Sequence, residues 1–303
     1  MIKFEHYPVM LNEVIENLNI KKDGLYVDGT IGGAGHAIEI CKKGGRLIGI
    51  DRDETALKVA GERLKKYEPE LVHSNFANIK EVLGERKIDG AILDLGVSSY
   101  QLDEASRGFS YHNEANLDMR MDTSQELTAE IVINTYGEKE LYRIIKEYGE
   151  ERFAKSIARN IVKNRPIKTT IELVEIIKKS IPPKNRFADK HPAKRTFQAI
   201  RIEVNCELSS IKNAIKDFAG CLNPGARLAI ISFHSLEDRI VKEEFNNLAN
   251  SKCTCPSNLP LCACNANKIE FKLITKKPIL PTKQELETNN RSHSAKLRVI
   301  EKI

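Results

Sequence analysis

The chain has no run of apolar residues long enough to cross a membrane. No segment approaches 18 uncharged apolar residues, about the shortest helix that spans a bilayer. Residues 1–11 carry charges among their apolar side chains, which is not typical of a secretory leader. These absences predict a cytoplasmic protein that does not contact a membrane. In that reducing compartment the seven cysteines are predicted to be thiols or metal ligands and not disulfides.

The most informative motif, in residues 25–36, lacks the third glycine of a dinucleotide-binding turn. Its apolar start predicts a buried strand, and the glycines that follow predict a tight turn that opens a helix. The pattern G-x-G-x-x-G/A requires a small residue where this chain has Ile38. Enzymes that use S-adenosylmethionine (SAM) have a similar turn without that glycine, since their cofactor carries no pyrophosphate for a helix N-terminus to bind. The alternative is a glycine-rich turn with a purely structural role.

A second apolar run ends at Asp51, about 20 residues after the turn, which is the spacing of a nucleotide-binding β-α-β unit. At the carboxyl end of its strand, the Asp51 carboxylate is placed to accept hydrogen bonds from a ribose diol. With Asp51 included, nucleotide binding is favoured over a structural turn.

Strand and helix patterns alternate up to about residue 101 and again after residue 197, and only helical patterns lie between. We therefore predict a Rossmann-like α/β fold, and the glycine turn described above is the feature that it shares with SAM-dependent methyltransferases. A seven-stranded, mostly parallel sheet is covered on both faces and interrupted by an inserted helical domain. The predicted division is 1–103 for the first part of the core, 104–196 for the insertion and 197–303 for the second part of the core. The predicted strands are 25–28, 46–50, 71–73, 88–95, 227–233, 269–274 and 296–303, and the predicted helices include 124–135, 170–181 and one long helix over 197–222, followed by a turn at 223–225.

Positive charge is concentrated in one segment. Residues 151–201 hold 14 Lys/Arg against 4 Asp/Glu, so +10, which leaves −4 for the rest of a chain whose total is +6. Such a segment on an acidic remainder suggests a surface that faces a polyanion. The alternative is a set of solvated faces of amphipathic helices.

Polar residues follow the predicted strands where parallel sheets bind ligands. Asp94 ends the fourth strand, which with the first strand flanks the point where the winding direction reverses, so we expect it near the glycine turn. The alternative is that Asp94 only caps a loop.

Phe76, after the third strand, is placed either against a purine ring or in ordinary packing. His234, after the fifth strand, either contacts a substrate or is satisfied by hydrogen bonds. Ser235 with Asp238 three residues later is interpreted as a helix-start signature.

Two C-x-C pairs lie in a proline-containing loop, formed by Cys253, Cys255, Cys262 and Cys264. Four thiolates are sufficient ligands for a zinc ion. The spacing is tighter than the usual C-x2-C knuckle, so incidental or redox-sensitive thiols are favoured and no metal site is predicted.

The chain resembles the MraW family of bacterial 16S rRNA (cytosine-N4)-methyltransferases in nine stretches that follow in the same order over nearly its whole length. One departure is Tyr100, which stands where proline is frequent in that family. The matching stretches are residues 6–11, 28–36, 50–53, 93–103, 107–110, 117–122, 148–155, 191–201 and 231–239.

The resemblance implies a SAM-dependent enzyme that methylates the exocyclic N4 of a decoding-region cytidine in 16S rRNA of the small ribosomal subunit. It also implies that the helical insertion faces this substrate. No oligomeric state follows from the sequence. The cofactor contacts implied by the resemblance fall on Gly33, Ala34, Gly35, His36, Asp51, Phe76, Asp94 and Gln101.

Methylation at N4 requires no covalent activation of the ring, whereas methylation at C5 requires a cysteine nucleophile. No cysteine lies beside residues 94–99 or 232–235, which argues against C5. Asp94 is the candidate catalytic acceptor for an N4 hydrogen, with the backbone carbonyls of residues 95–98 as alternatives. The basic residues expected to hold RNA phosphates are Arg152, Lys155, Arg159, Lys163, Arg165, Lys194, Arg195 and Arg201.

Two other functions stay open at this point. The first is a SAM enzyme acting on another acceptor, since the amine-methylation tetrapeptide (D/N/S)-P-P-(Y/F) is replaced by Asp94-Leu95-Gly96-Val97. The second is a non-catalytic rRNA-binding assembly factor that senses SAM.

Overall fold

The computed structural model describes residues 7–98, 104–183, 191–250 and 270–303. Gln101, Tyr100 and the four cysteines of the two C-x-C pairs lie outside the described residues. The chain divides into two compact units. The sheet unit comprises Met1–Gly96 with Leu208–Ile303, and the helical unit comprises Val97–Glu207. The helical unit thus extends beyond the predicted insertion, 104–196, at both ends.

The sheet unit is built on seven strands among its described residues, in the order β3-β2-β1-β4-β5-β7-β6. Strands β1 to β5 pair in parallel, and β7 runs antiparallel to both β5 and β6. This confirms the predicted seven-stranded, mostly parallel sheet. The strands are β1 Leu25–Asp28, β2 Arg46–Asp51, β3 Glu70–His73, β4 Ile88–Asp94, β5 Leu222–Ser232, β6 Phe271–Leu273 and β7 Lys296–Lys302.

Both faces of the sheet are buried, as expected for a parallel sheet. Successive side chains point to opposite faces, so Leu93 packs in a cluster with Phe218 and Phe245, whereas Ile92 packs with Tyr26 on the other face. The helices, in chain order through both units, are α1 Leu11–Leu18, α2 Gly35–Lys42, α3 Glu54–Leu64, α4 Ile79–Leu83, α5 Ala129–Thr135, α6 Glu138–Glu147, α7 Ala154–Lys163, α8 Thr170–Ser180, α9 Lys194–Asn205, α10 Glu207–Cys221, α11 Ser235–Ala249 and α12 Lys283–Thr288.

The predicted long helix over 197–222 is wrong, because the chain forms α9 and α10 with a break at Cys206. Cys206 has φ 50°, a left-handed conformation that ends a helix. The buried side chain of Asn205 favours this break, since it accepts from the Met121 N–H at 2.8 Å and donates to the Met119 carbonyl at 2.8 Å.

The predicted turn at 223–225 lies inside β5, where Gly225 has φ 78°. The register of β4 against β5 shifts between Ile88 and Gly90, so a bulge replaces the turn. The helix predicted over 124–135 begins only at α5, because Thr128 caps it by accepting from the Ile131 N–H. No described helix is long and apolar enough to span a membrane.

Candidate active site

The glycine turn and the end of β4 lie side by side. Strand β1 is flanked by β2 and β4, so the chain leaves the sheet in opposite directions from neighbouring strands, and a crevice forms there. The Gly29 N–H donates to the Ile92 carbonyl at 3.0 Å, and the Asp94 N–H donates to Thr30 Oγ1 at 2.6 Å. Asp94 therefore sits beside the turn, where the sequence analysis expected it.

The turn presents backbone rather than side chains. Gly32 and Ala34 have left-handed φ values of 45° and 62°. At Gly35, the first residue of α2, a Cβ atom would overlap the Pro8 ring, so only glycine fits. The Arg63 guanidinium donates to the Gly33 carbonyl and holds the turn from α3. The first N–H groups of α2 have no partner within the helix.

The Asp51 carboxylate is anchored by backbone. Its Oδ2 accepts from the Gly32 N–H at 2.8 Å, and its Oδ1 accepts from the Asp53 N–H at 3.0 Å. Burial raises the pKa of Asp51, while these backbone hydrogen bonds oppose that rise. A third backbone N–H, that of Arg52, also lowers the pKa. A carboxylate has about four lone-pair sites, so Asp51 is oriented by backbone and can still accept a ligand hydroxyl.

Two further acids lie at the strand ends with little solvation. Asp28 is 2% exposed, and its Oδ1 accepts from the Thr30 N–H at 3.2 Å. Burial raises the pKa of Asp28 to about 7, with the Asp51 charge adding to the rise. The Oδ1 atom of Asp94 is buried and has no hydrogen-bond partner among the described residues. Burial, followed by the charges of Asp28 and Glu237, raises the pKa of Asp94 well above its usual range.

Glu237 is the buried acid that the sequence analysis missed. It is 0% exposed, and its Oε2 accepts from the N–H groups of Phe233 at 2.7 Å and His234 at 3.2 Å. His234 is itself the N-cap of α11. Its Nδ1 accepts from the Glu237 N–H at 3.4 Å, and its Nε2 lies 3.1 Å from Glu237 Oε1. Only Nδ1 is hydrogen-bonded, because the buried Nε2 has no hydrogen-bond partner among the described residues. Both interpretations of His234, as a substrate contact and as a structural residue, therefore stay predictions.

The predicted helix-start pair, Ser235 with Asp238, is wrong by one residue. The capping pair is His234 with Glu237, because an imidazole nitrogen takes the place of the expected hydroxyl. Asp238 instead accepts from Lys296 Nζ at 3.0 Å and from Arg298 Nε at 2.7 Å. A sequence pattern that allows only hydroxyl or amide side chains at the N-cap does not predict this capping pair.

Two of the predicted cofactor residues have structural contacts of their own. The His36 ring is 5% exposed, with Nε2 3.0 Å from the Val9 carbonyl. Burial lowers its pKa to about 4, so the ring is neutral. Phe76 begins a short turn after β3 and packs against the core. A Cβ atom on Gly29 would lie 3.2 Å from the Cβ of Phe76, so Phe76 closes one side of the glycine turn.

Thr30 and Arg63 are the other residues that the sequence analysis missed. Thr30 links two strand ends, since its N–H donates to Asp28 and its Oγ1 accepts from Asp94. Only the position of Thr30 inside the glycine motif signals this role. No sequence pattern around Arg63 indicates this contact, because the side chain reaches the glycine turn from the far end of α3.

The chemistry of the crevice suits a cation that also carries hydroxyl groups. Burial and neighbouring acids raise the pKa values of Asp28 and Asp94, and a cation bound beside these carboxyl groups would favour their negatively charged form. A pyrophosphate would be repelled there, whereas a sulfonium or ammonium group would be attracted. The electrostatics therefore agree with the missing third glycine in disfavouring a dinucleotide.

Comparisons with known proteins point the same way. The model of the MraW methylase family matches residues 3–303. "Ribosomal RNA small subunit methyltransferase H" of Clostridioides difficile is 58% identical over 313 residues, covering 100% of both chains. The protein of the same name from Lachnospira eligens is 56% identical over 314 residues, covering 100% of this chain and 99% of that one. A solved rRNA methylase from Streptococcus thermophilus is a distant match, 13% identical with a TM-score of 0.42, over 97% of this chain and 93% of that one. The chain therefore belongs to the MraW methylase family, and it is a methyltransferase that takes its methyl group from SAM.

Proposed function

We propose that this enzyme methylates the exocyclic N4 of a decoding-region cytidine in 16S rRNA of the small ribosomal subunit. The observation that carries the proposal is the buried Oδ1 of Asp94, which has no described partner beside the glycine turn. A buried polar atom without a partner is the atom that a bound group is expected to satisfy. The names of full-length relatives, which specify the small-subunit RNA, support the substrate class and with it the cytoplasmic location.

The residues of the crevice fit SAM. We assign the ribose to the anchored Asp51 carboxylate and the cationic end of the cofactor to the acids that include Asp94. The turn residues Gly33, Ala34 and Gly35 offer backbone groups, and Phe76 offers a ring edge. For His36 we assign the contact to its backbone N–H in the first turn of α2, since its ring is bound to Val9. Gln101 remains a proposed contact outside the described residues.

When bound, SAM supplies a methyl group on a sulfonium centre, and loss of that methyl group converts the sulfonium to a neutral thioether. Cytosine N4 is a poor nucleophile because its lone pair is conjugated with the ring. An acceptor bonded to an N4 hydrogen moves the nitrogen toward tetrahedral geometry, exposes that lone pair and takes the proton that N4 loses. We assign this role to Asp94, with the backbone carbonyls that follow it as alternatives. Transfer further requires the reacting atoms to be held about 3–3.5 Å apart.

Asp94 must be ionised to accept that proton. Burial and neighbouring acids raise its pKa in the free protein, and a nearby cation has the opposite effect. Asp94 would therefore favour its carboxylate form when the sulfonium of SAM is bound beside it.

The helical unit is proposed to hold the RNA, with the target base unstacked or single-stranded. Two of the predicted phosphate contacts are structural instead. Arg165 donates to the carbonyls of Ile133 and Tyr136, and Arg201 forms a double hydrogen bond with Glu207 at 2.8 and 2.9 Å. The cations that remain exposed and suited to phosphates are Arg152, Lys155, Arg159, Lys163, Lys194 and Arg195.

Methyl transfer from labelled SAM to small ribosomal subunits, followed by digestion to nucleosides, tests the proposal. N4-methylcytidine at one position is the expected product. Another methylated nucleoside would favour the enzyme with a different acceptor, and a labelled protein would exclude RNA as the substrate. Binding of SAM and of subunits without any product would favour the assembly factor.

A further inference from the structure

Four aromatic rings meet in the helical unit, and the proposed methyl transfer uses none of them. Tyr111 follows one family-matching stretch, 107–110, and His191 begins another, 191–201. Their rings are stacked, with centroids 4.6 Å apart and planes at 14°. His112 lies 4.5 Å from Tyr111 and 5.3 Å from His191, and Phe197 meets Tyr111 edge-on at 5.8 Å.

The cluster has an inner and an outer side. Phe197 is 3% exposed and belongs to the core of the helical unit. Tyr111 and His191 are half-buried, and His112 is exposed. Aliphatic side chains would be sufficient to fill a core at this position, but three flat rings with polar edges extend to the surface instead. Tyr111 and His191 are nearly parallel, while His112 is tilted by 50° and 60° against them, so the outer rings form a preorganised aromatic cluster on a rigid base.

The His191 ring is held in place and uncharged. Its Nδ1 accepts from the Ala193 N–H at 3.2 Å, at the start of α9. Burial, then the charges of His112 and Lys178, lowers the pKa of His191. A neutral imidazole stacked on a phenol offers a π-face of the kind on which proteins stack unpaired bases.

Three cations lie near His191 in sequence or in space. Lys194 and Arg195 are exposed within four residues of His191, and Lys178 is near enough to affect the His191 pKa. Flat rings beside exposed cations are the two components of single-stranded nucleic-acid binding, in which the cations track the phosphates and the bases stack. Lipid headgroups and acidic peptides would use the cations but not the stacked faces.

We propose that Tyr111, His112 and His191 form a stacking platform for an unpaired base of the RNA substrate. The proposal rests on the proposed function, because it takes RNA as the polyanion. It adds a base-binding site, in the helical unit, that is separate from the residues assigned to SAM and to the methylated nitrogen.

The absence of tryptophan from the chain allows a direct test. Tyr111→Trp gives the full-length protein a single tryptophan whose emission a stacked base quenches. Single-stranded octaadenylate RNA is expected to quench it, and inorganic polyphosphate of equal charge is not. The matched control is Tyr67→Trp, which places the reporter in the sheet unit with Lys66 over the ring at 4.7 Å. Equal quenching by polyphosphate, or equal quenching of the control by RNA, would overturn the platform.

Affinity supplies the second test. Each lost base–ring stack weakens binding by about 5- to 150-fold, so His112→Ala and Tyr111→Leu are expected to bind octaadenylate more weakly by a factor in that range. Tyr111→Phe keeps the ring and is expected to bind like the wild type. His112 is exposed, so its variant reports even if Tyr111→Leu fails to fold. Unchanged RNA affinity of His112→Ala and Tyr111→Leu, or equal losses for polyphosphate, would reject the platform.

The nucleoside digest separates this proposal from the proposed function. N4-methylcytidine made by the wild-type enzyme, together with unchanged RNA binding by the variants, removes the platform and leaves the function. Absence of that product with specific quenching of Tyr111→Trp leaves a base-binding surface and removes the function.

Discussion

The sheet unit and the helical unit differ in the sign and the burial of their most informative charged side chains. In the sheet unit the informative charges are buried acids whose oxygens accept backbone N–H groups, as in Asp28, Asp51 and Glu237. In the helical unit they are exposed cations on amphipathic helices, such as Lys155 and Lys163. Buried acids act over a few ångströms on a bound cation, while exposed cations act over about a Debye length on a polyanion. Under the proposed function, this division separates a site for a small cationic cofactor from a surface for a nucleic acid.

The largest expected effect is at Asp94. Asp94→Asn removes the acceptor for the N4 proton and preserves shape, so the rate at saturating SAM is expected to fall by about 10²- to 10⁴-fold. Single-turnover methyl transfer measures it. The control is Asp89→Asn, at the other end of the same strand, where the side chain accepts from the Leu25 N–H at 2.9 Å. A rate for Asp94→Asn within a few-fold of the wild type would remove Asp94 from the chemistry.

The second expected effect is on the thermal stability of the protein as a function of pH. It has opposite signs for one carboxyl group in each unit. Asp28 has a raised pKa of about 7, so the stability that its protonated form contributes is present below its unfolded pKa and is lost as pH rises through about 7. Asp28→Asn is therefore expected to melt above the wild type at pH 8. A pKa shift of this size corresponds to about 4 kcal/mol in the free energy of unfolding. At pH 4 the difference is expected to be small.

Asp118 in the helical unit is the matched opposite case. Burial would raise its pKa, but hydrogen bonds from Arg120 hold the pKa below its usual value. Its stabilising contribution is therefore present at neutral pH and lost as pH falls through the lowered pKa. Asp118→Asn is expected to melt below the wild type at pH 8. Thermal melts at pH 4, 6 and 8 check both variants, and slopes of the same sign would contradict the contrast between the units.

The third effect is on RNA binding. Replacing Lys155, Lys163 and Lys194 together with alanine removes about three phosphate contacts, so the slope of log affinity against log salt is expected to become shallower by about two. The control replaces three exposed lysines of the sheet unit: Lys42, Lys58 and Lys66. Filter binding of 16S rRNA over a salt series measures both variants. Similar changes in both triple variants would show that net charge alone is responsible.

The sequence predicted elements whose signal is local. Asp51 and Asp94 could be found because each ends a strand, and Gly33 and Gly35 because they lie in or directly after a glycine-rich turn. The mostly parallel sheet followed from the alternation of strands and helices, and β1 and β4 were expected to flank the point where the winding direction reverses. The sequence analysis did not predict the role of Glu237, because its capping partner is a histidine. It did not predict the helix break at Cys206, because the Asn205 contacts that favour the break come from residues about 85 positions away. Arg165 and Arg201 show the same limit, since charge counts do not reveal which cations are already paired.

The smallest effect concerns Arg63, which no sequence pattern marked. Its guanidinium donates to the Gly33 carbonyl, and the side chain is exposed, so water competes for the bond and its contribution is modest. Arg63→Ala is expected to weaken SAM binding about threefold, because the turn keeps its backbone bonds but loses an external hold. Arg46→Ala is the matched control, since Arg46 Nε donates to the Asp23 carbonyl at 3.1 Å at the other end of the sheet. Calorimetry with SAM measures both variants. Equal affinities for Arg63→Ala and wild type would mean that the glycine turn keeps its shape without α3, and a loss for Arg46→Ala of the same size would mean that the effect is general destabilisation.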